Sequence, residues 1–308
     1  MKNLECFKGI IPAFYACYDK DGQVDAEAVK ALTAYYIKKG VKGIYVGGSS
    51  GECIYQTVDD RKKTLEAVME TAKGKLTVIA HVACNNTAES KELAAHAEKY
   101  GVDAIASIPP IYFHLPEYSI AEYWNDISGA APNTPFIIYN IPQLAGTALT
   151  AGLLSKMLEN PNVIGVKNSS MPVQDIQIFK ALGTEKRGDF IVFNGPDEQL
   201  VSGLAIGADA GIGGTYGAMP ELFLKLFSLV RENDIEKACA IQNAADSIIY
   251  KLCSGHGNMY GIIKEVLRIR EGLDIGGVRK PLAEINDEDR KIAKEAAAMI
   301  DEAIAKYC

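Results

Sequence analysis

Residues 162–170 read NVIGVKNSS, a short apolar strand with a lysine near its carboxyl end. Lys167 follows Ile164 and Val166, and it has no acidic neighbour on the strand. Because an ammonium ion is costly to bury among apolar side chains, we expect the pKa of Lys167 to be lowered. A neutral amine in such a place is a nucleophile. The alternative is a structural lysine that extends out of an edge strand into water, and the rest of the chain decides between the two.

Short apolar runs alternate with helical patterns along residues 10–231, which is typical of βα units that carry a parallel sheet. The strands are expected at residues 10–17, 43–48, 76–82, 104–110, 135–141, 163–169, 190–194 and 210–216. Helices are expected after them at residues 25–39, 57–73, 87–100, 116–129, 150–158, 172–182, 198–206 and 219–231. Eight such pairs predict an α/β fold, a (β/α)8 TIM barrel. A doubly wound sheet is the alternative, but it usually has fewer strands, and no dinucleotide fingerprint follows the first strand.

The strand pattern ends near Asn233, and helical segments follow at residues 234–252, 259–271 and 287–307. We therefore expect a barrel with the active site at residues 1–232 and a C-terminal three-helix extension at residues 233–308 that packs on it. Within the barrel, Asp25 is the expected cap of the first helix, and Thr57 with Asp60 approximates a capping box for the second. Pro172 is expected at the start of the sixth helix.

Composition excludes several classes of function. The net charge is −7 without a basic block, which disfavours a nucleic-acid partner or an anionic membrane surface. No run approaches the roughly 20 apolar residues of a membrane helix. The first residues lack the apolar core of a signal peptide, so we expect a cytoplasmic protein.

The cysteine and histidine patterns indicate neither disulfides nor a metal site. The seven cysteines are odd in number and scattered, so we expect reduced thiols. The four histidines show no metal-ligand spacing, and we expect no metal.

Active sites of such barrels lie at the carboxyl ends of the strands, where this chain carries unusual residues. By alternation, Lys167 shares one face of its strand with Val163, Gly165 and Ser169, and we expect that face to point into the barrel, with Ile164 and Val166 on the other face. Tyr139 lies near the end of the preceding strand, where a phenol can move a proton for a group bound to Lys167. A lone tyrosine is more often a packing residue.

Two loops after strands carry polar groups that suit a carboxylate and sugar hydroxyls. Residues 47–52 read GGSSGE, and Ser49 with Glu52 fits a helix-opening capping box, so amides, hydroxyls and a helix dipole would converge there. A simple glycine turn with a cap is the alternative. After strand seven, Asp197 and Glu198 can accept hydrogen bonds from sugar hydroxyls, or they can favour the positive end of the next helix.

Four spaced motifs together resemble the N-acetylneuraminate lyase and dihydrodipicolinate synthase family of pyruvate-dependent class I aldolases. The motifs are GGSSGE at 47–52, YNIP at 139–142, GVK at 165–167 and GADAGIG at 207–213, and RKPL at 279–282 also matches. The lyase branch is the nearer one, because Gly48-Ser49 stands where the synthases typically have paired threonines. The synthases also usually carry an arginine shortly after the tyrosine motif, and residues 143–146, QLAG, contain none.

This resemblance implies reversible cleavage of N-acetylneuraminate, a sialic acid, to N-acetylmannosamine and pyruvate through a covalent imine on Lys167, without a further cofactor. Tyr139 would move the proton of the C4 hydroxyl, with Ser49 in a relay. The resemblance further implies that Tyr112 reaches into the site of a neighbouring subunit in a homotetramer. The positions that match substrate-binding residues of the family are Ser49, Ser50, Ser169, Gly195, Asp197, Glu198, Gly214 and Tyr260. Gly214 departs from a serine found in some lyases, and Tyr260 is expected near the N-acetyl group.

Three alternatives remain open at this point. The chain could be an aldolase for another pyruvate adduct, such as a 2-keto-3-deoxy sugar acid, or a dihydrodipicolinate synthase. It could also be a non-catalytic barrel that binds sialic acid or pyruvate, or a metal-dependent aldolase.

Overall fold

A computed structural model describes residues 4–308, and its centre is an eight-stranded parallel sheet in the order β1-β8-β7-β6-β5-β4-β3-β2. The strands are Ile10–Pro12 (β1), Gly43–Val46 (β2), Thr77–His81 (β3), Ala104–Ser107 (β4), Phe136–Asn140 (β5), Val163–Asn168 (β6), Ile191–Asn194 (β7) and Ala210–Gly213 (β8). A parallel bridge between Ala13 and Tyr45 joins the two ends of the sheet. The predicted (β/α)8 TIM barrel is confirmed.

Helices surround the barrel and continue beyond it. They are Ala26–Lys39 (α1), Val58–Ala72 (α2), Thr87–Tyr100 (α3), Glu117–Ala130 (α4), Pro142–Ala145 (α5), Ala151–Met157 (α6), Gln174–Arg187 (α7), Leu200–Ala205 (α8), Pro220–Arg231 (α9), Ile235–Cys253 (α10), Met259–Glu271 (α11) and Asp287–Tyr307 (α12). Both predicted caps are confirmed: Asp25 accepts from two amides of α1, and Thr57 and Asp60 form a reciprocal capping box on α2. Among the described helices, none has the length and apolar character needed to cross a membrane.

The predicted start and end of the sixth barrel helix are wrong. Pro172 precedes the helix, which begins at Gln174, and α7 continues through Gly183 to Arg187. A Cβ atom at Gly183 would lie 2.1 Å from the ring of Phe190, so the glycine lets the helix pack closely on the segment before β7. A glycine inside a helix costs about 1 kcal/mol relative to alanine, but here close packing requires it.

The predicted alternation along β6 is also partly wrong. Phe136 pairs with Val163 but Ile137 pairs with Gly165, so Ile164 is an extra residue that forms a β-bulge. Ile164 therefore packs in the interior of the barrel, whereas Val166 packs outside it. After the bulge the alternation resumes, and Lys167 faces inward as predicted.

The helical extension packs on the last barrel helices. Helix α10 contacts α8, α9 and α12, and α11 lies against α12. Ile241 on α10 and Ile262 on α11 belong to the same hydrophobic core as Leu222 and Phe223 on α9. The extension is thus continuous with the core outside the barrel, and the division of the chain at residue 233 stays a prediction.

Candidate active site

Lys167 lies in the mouth of the barrel between two aromatic rings. It pairs in register with Tyr139 on β5, and only 4% of its surface is exposed. Its Nζ lies 3.7 Å from the centroid of the Tyr139 ring and 4.3 Å from that of Tyr45 on β2. Among residues 4–308, no carboxylate forms a salt bridge with this amine, although Asp197 is near enough to act on it electrostatically. The nitrogen is therefore not held by a permanent ion pair.

The pKa of Lys167 confirms the expectation from the strand. Burial lowers the pKa from 10.5 to about 7, and the nearby Asp197 and Cys53 act in the opposite direction. Desolvation outweighs both because it penalises the charged form in an apolar site. The amine of Lys167 therefore loses its proton far more readily near neutral pH than that of an ordinary lysine.

Tyr139, whose ring lies against that amine, carries a buried hydroxyl group. Burial raises the pKa of Tyr139 to about 12, and hydrogen bonds from the side chains of Ser169 and Ser49 lower it in part. The phenol is therefore protonated at neutral pH. It suits a relay in which the oxygen accepts one proton as it passes on its own.

Two more aromatic groups complete the wall beside Lys167, and the sequence reasoning did not identify either. The rings of Tyr45 and His81 meet Tyr139 edge-on, with centroids 5.7 Å and 6.0 Å away. Burial and the nearby Arg61 hold the pKa of His81 well below its usual range, so the imidazole is neutral. Its Nδ1 lies 2.8 Å from the carbonyl oxygen of Gly47. The inward alternation of β2 was the one signal for Tyr45.

The loop after β2 does not open a helix as predicted. Ser49–Gly51 form one short 3-10 turn without a side-chain cap, so the expected capping box and helix dipole at Ser49 and Glu52 are wrong. Glu52 instead adopts a left-handed conformation with φ 56°, and its carboxylate accepts from Lys264 at 2.9 Å. The loop still carries the two predicted hydroxyl groups, with Ser50 buried and Ser49 half-buried.

Ser50, Gly214 and Tyr260 lie in contact with one another. The Ser50 Oγ donates to the Tyr260 hydroxyl at 3.1 Å. A Cβ atom at Gly214 would lie 3.2 Å from that tyrosine oxygen and 3.3 Å from the Ser50 Oγ. The glycine at this position thus gives the Ser50–Tyr260 hydrogen bond the space it needs. The expected role of Tyr260 near an N-acetyl group stays a prediction.

Asp197 joins the ends of β7 and β8. Its Oδ1 accepts from the Gly214 amide at 3.1 Å, and its Oδ2 accepts from the Thr215 amide at 2.6 Å and from the Thr215 hydroxyl at 2.5 Å. Burial raises the pKa of Asp197 to about 6, against the effect of these bonds. Glu198, next along the chain, is exposed. Of the predicted pair, Asp197 is thus a buried carboxylate that holds the backbone after β8, and Glu198 is an exposed one that is available to a ligand.

Ser169 and Gly195 lie side by side at the ends of β6 and β7. A Cβ atom at Gly195 would lie 1.9 Å from the Ser169 Oγ, so glycine leaves the space that the serine occupies. The Gly195 amide donates to the carbonyl oxygen of Asn168 at 2.8 Å.

Tyr112 is not brought to this site within one chain. It is 87% exposed with φ 86°, and its ring meets that of the exposed Phe113 edge-on at 5.0 Å between centroids. Within residues 4–308, no three His, Cys, Asp or Glu side chains lie together as a metal site requires.

Comparisons with known proteins agree with the geometry. The model of the dihydrodipicolinate synthetase family matches residues 6–300. The chain is 66% identical to the N-acetylneuraminate lyase of Mediterraneibacter gnavus, over 100% of this chain and 96% of that protein. It is 33% identical to the N-acetylneuraminate lyase of Salmonella agona, over 97% of this chain and 98% of that protein. The solved structure of a catalytic lysine mutant of the Ruminococcus gnavus sialic acid aldolase superposes with a TM-score of 0.98 at 64% identity, covering 100% of both chains. The chain therefore belongs to the dihydrodipicolinate synthetase family.

Proposed function

We propose that this chain catalyses the N-acetylneuraminate lyase reaction, the reversible cleavage of N-acetylneuraminate to N-acetylmannosamine and pyruvate. The observation that carries the proposal is the buried amine of Lys167, with a pKa of about 7, against the ring of Tyr139. The 66% identity to an N-acetylneuraminate lyase supports this substrate.

The first step is imine formation on Lys167. The neutral amine attacks the C2 ketone of the substrate, and one proton moves from nitrogen to oxygen. The hydroxyl group then takes up a second proton from solvent and leaves as water. The product is an iminium ion, which is the electron sink for the next step, so the cleavage needs no added metal or organic cofactor. The pKa of Lys167 makes this attack possible near neutral pH.

The second step is cleavage of the C3–C4 bond. The oxygen of Tyr139 accepts the proton of the C4 hydroxyl while its own proton moves toward Ser49 or the substrate carboxylate. The electron pair of the C3–C4 bond moves to C3 and neutralises the iminium as an enamine, and N-acetylmannosamine leaves as the aldehyde. Protonation of C3 and addition of water at C2 then release pyruvate and regenerate Lys167.

The remaining polar residues provide substrate binding. Ser49, Ser50 and the backbone amides beside them would hold the carboxylate next to the imine. Ser169, Gly195 and the Asp197–Glu198 loop would hold the amino-sugar and glycerol portions. Gly214 and Tyr260, which lie against Ser50, would also contact the substrate. Both Asp197 oxygens already accept hydrogen bonds from the protein, so Glu198 is more available to accept one from the substrate.

We further propose a homotetramer in which Tyr112 enters the site of a neighbouring subunit. Tyr112 and Phe113 are 87% and 71% exposed, and a non-glycine residue with φ 86° is costly to maintain without a function. A cytoplasmic location is supported by the free thiols of Cys17, Cys53, Cys84, Cys239, Cys253 and Cys308.

A comparison of substrates tests the reaction. We expect cleavage of N-acetylneuraminate at a kcat/KM at least about a hundredfold above that for 2-keto-3-deoxygluconate, a difference of about 2.7 kcal/mol in transition-state stabilisation. Pyruvate release coupled to lactate dehydrogenase measures both. Preference for the deoxy sugar acid would assign the chain to another aldolase activity, and binding without turnover would indicate a sensor. Full activity in a chelator would exclude the metal-dependent class.

The pH dependence of imine formation follows from the lysine. Because the pKa of Lys167 is about 7, the reactive amine is lost by protonation as the pH falls below that value. We expect trapping of pyruvate by borohydride to be about tenfold slower at pH 6 than at pH 8. The charge of Asp197 holds the lysine pKa up, so Asp197→Asn should move the same profile to lower pH. A rate that is flat between these two pH values would contradict the assignment.

A further inference from the structure

Two side-chain contacts connect the loop after β2 to helix α11 of the extension. Ser50 bonds the hydroxyl of Tyr260 at 3.1 Å, and Glu52 bonds Nζ of Lys264 at 2.9 Å. Tyr260 and Lys264 are four residues apart, so they lie on the same face of α11 one turn from each other. The loop that carries Ser49 and Ser50 is thus held by the C-terminal extension and not by the barrel alone.

The ion pair between Glu52 and Lys264 is fully enclosed. Their side chains are 0% and 2% exposed. The second carboxylate oxygen of Glu52 accepts from the backbone amide of Arg279 at 2.8 Å, and Lys264 also donates to the carbonyl oxygen of Gly277 at 2.5 Å. Both charges therefore have polar partners on two sides, which a buried pair needs to be tolerated.

Residues 277–279 are themselves tied to the barrel through Arg279, the first residue of the RKPL motif. The guanidinium of Arg279 bonds Asp60 on α2 at 2.6 Å and the carbonyl oxygen of Gly22 at 2.8 Å. It also lies 4.6 Å from the ring centroid of Tyr18. The segment that contacts Glu52 is therefore fixed in place.

Glu52 also adopts an unusual backbone conformation, with φ 56°. A non-glycine residue in the left-handed region is uncommon and persists only where its surroundings hold it. A buried ion pair contributes little net stability compared with apolar side chains of the same shape, so its presence is better explained by the geometry that it specifies. Glu52 follows Ser50 by two residues, between the 3-10 turns Ser49–Gly51 and Cys53–Tyr55.

We infer that Glu52 and Lys264 are positioning residues that hold Ser49 and Ser50 where they bind the carboxylate of a 2-oxo acid. The inference rests on the proposed function, since it assigns the loop to substrate binding. Neither residue touches the reacting atoms. The helical extension is accordingly a working part of the substrate site, through one ion pair and one hydroxyl contact.

Two variants test this role. Lys264→Met removes the ammonium with similar volume, and the double variant Glu52→Gln with Lys264→Met also removes the remaining buried charge, so it is expected to fold. In both we expect the pyruvate concentration that half-saturates borohydride trapping to rise at least about tenfold, or about 1.4 kcal/mol. We expect the trapping rate at saturating pyruvate, and the pH at which Lys167 titrates, to stay as in the unsubstituted chain.

A matched control is the partly buried pair of Lys180 and Asp209, whose atoms approach to 2.8 Å at the opposite end of β7 and β8. Lys180→Met with Asp209→Asn should change pyruvate half-saturation by less than about twofold. A folded Glu52→Gln/Lys264→Met variant with unchanged pyruvate dependence would overturn the inference alone. Failure of the unsubstituted chain to trap pyruvate would overturn the proposed function and the inference with it.

Discussion

Replacement of Lys167 by methionine or alanine is expected to abolish cleavage of N-acetylneuraminate, by more than about a thousandfold in kcat, because the imine forms on the amine of this lysine. The fold should remain. The methionine variant should also unfold at a higher temperature than the unsubstituted chain at pH 7. The folded pKa of Lys167 is about 7, below its ordinary value of 10.5, so burial of this lysine costs stability.

The lowered pKa of Lys167 also determines how the stability gain of the methionine variant changes with pH. The cost is fully present below pH 7, where the folded chain buries a charged lysine. Between pH 7 and 10.5 the folded chain has given up a proton that the unfolded chain keeps, so the cost falls and disappears as the pH rises toward 10.5. Each unit of pKa displacement corresponds to about 1.4 kcal/mol. Melting temperatures of both chains at pH 7 and pH 10 measure the effect. An equal difference in melting temperature at both pH values would show that the lysine is not desolvated. Retained turnover would show that it is not the nucleophile.

Replacement of Tyr139 by phenylalanine is expected to lower kcat by about a hundredfold to ten-thousandfold, the usual range for loss of a proton-transfer group. Imine formation with pyruvate does not require the C4 proton to move, so trapping on Lys167 should persist. Single-turnover cleavage and pyruvate trapping measure the two steps separately.

Tyr45→Phe is the matched control for this prediction. The ring of Tyr45 lies 4.3 Å from the same amine, and its hydroxyl is buried without a hydrogen-bond partner among the described residues. Its removal should leave kcat close to that of the unsubstituted chain. If Tyr45→Phe lost as much activity as Tyr139→Phe, the effect would come from altered packing around the lysine and not from a proton relay.

The barrel and its central pair of residues could be predicted from the sequence because each depends on local pattern. The periodicity of apolar residues predicted a strand at each of the eight places, although β1 ends at Pro12 and not at residue 17. The alternation along β6 predicted that Lys167 faces inward, and Tyr139 was predicted near the end of the strand before it. Consecutive strands are neighbours in such a barrel, so their pairing followed. Burial of Lys167 among apolar residues was enough to predict the direction of its pKa shift.

The features that could not be predicted depend on contacts distant in sequence. The bulge at Ile164 depends on how β5 and β6 pair, and the continuation of α7 through Gly183 depends on the ring of Phe190. Glu52 fitted the pattern of a helix cap, but its partner Lys264 lies 212 residues later in the chain. Asp197 resembled a ligand for sugar hydroxyls, whereas its partners are the amides at the end of β8.

Borohydride reduction in the presence of pyruvate, followed by mass spectrometry of the digested protein, tests the central claim most directly. The expected result is one reduced pyruvate adduct per chain, as a secondary amine on Lys167, and none in Lys167→Met. An adduct on a different lysine, or no adduct in a chain that still cleaves N-acetylneuraminate, would contradict the account.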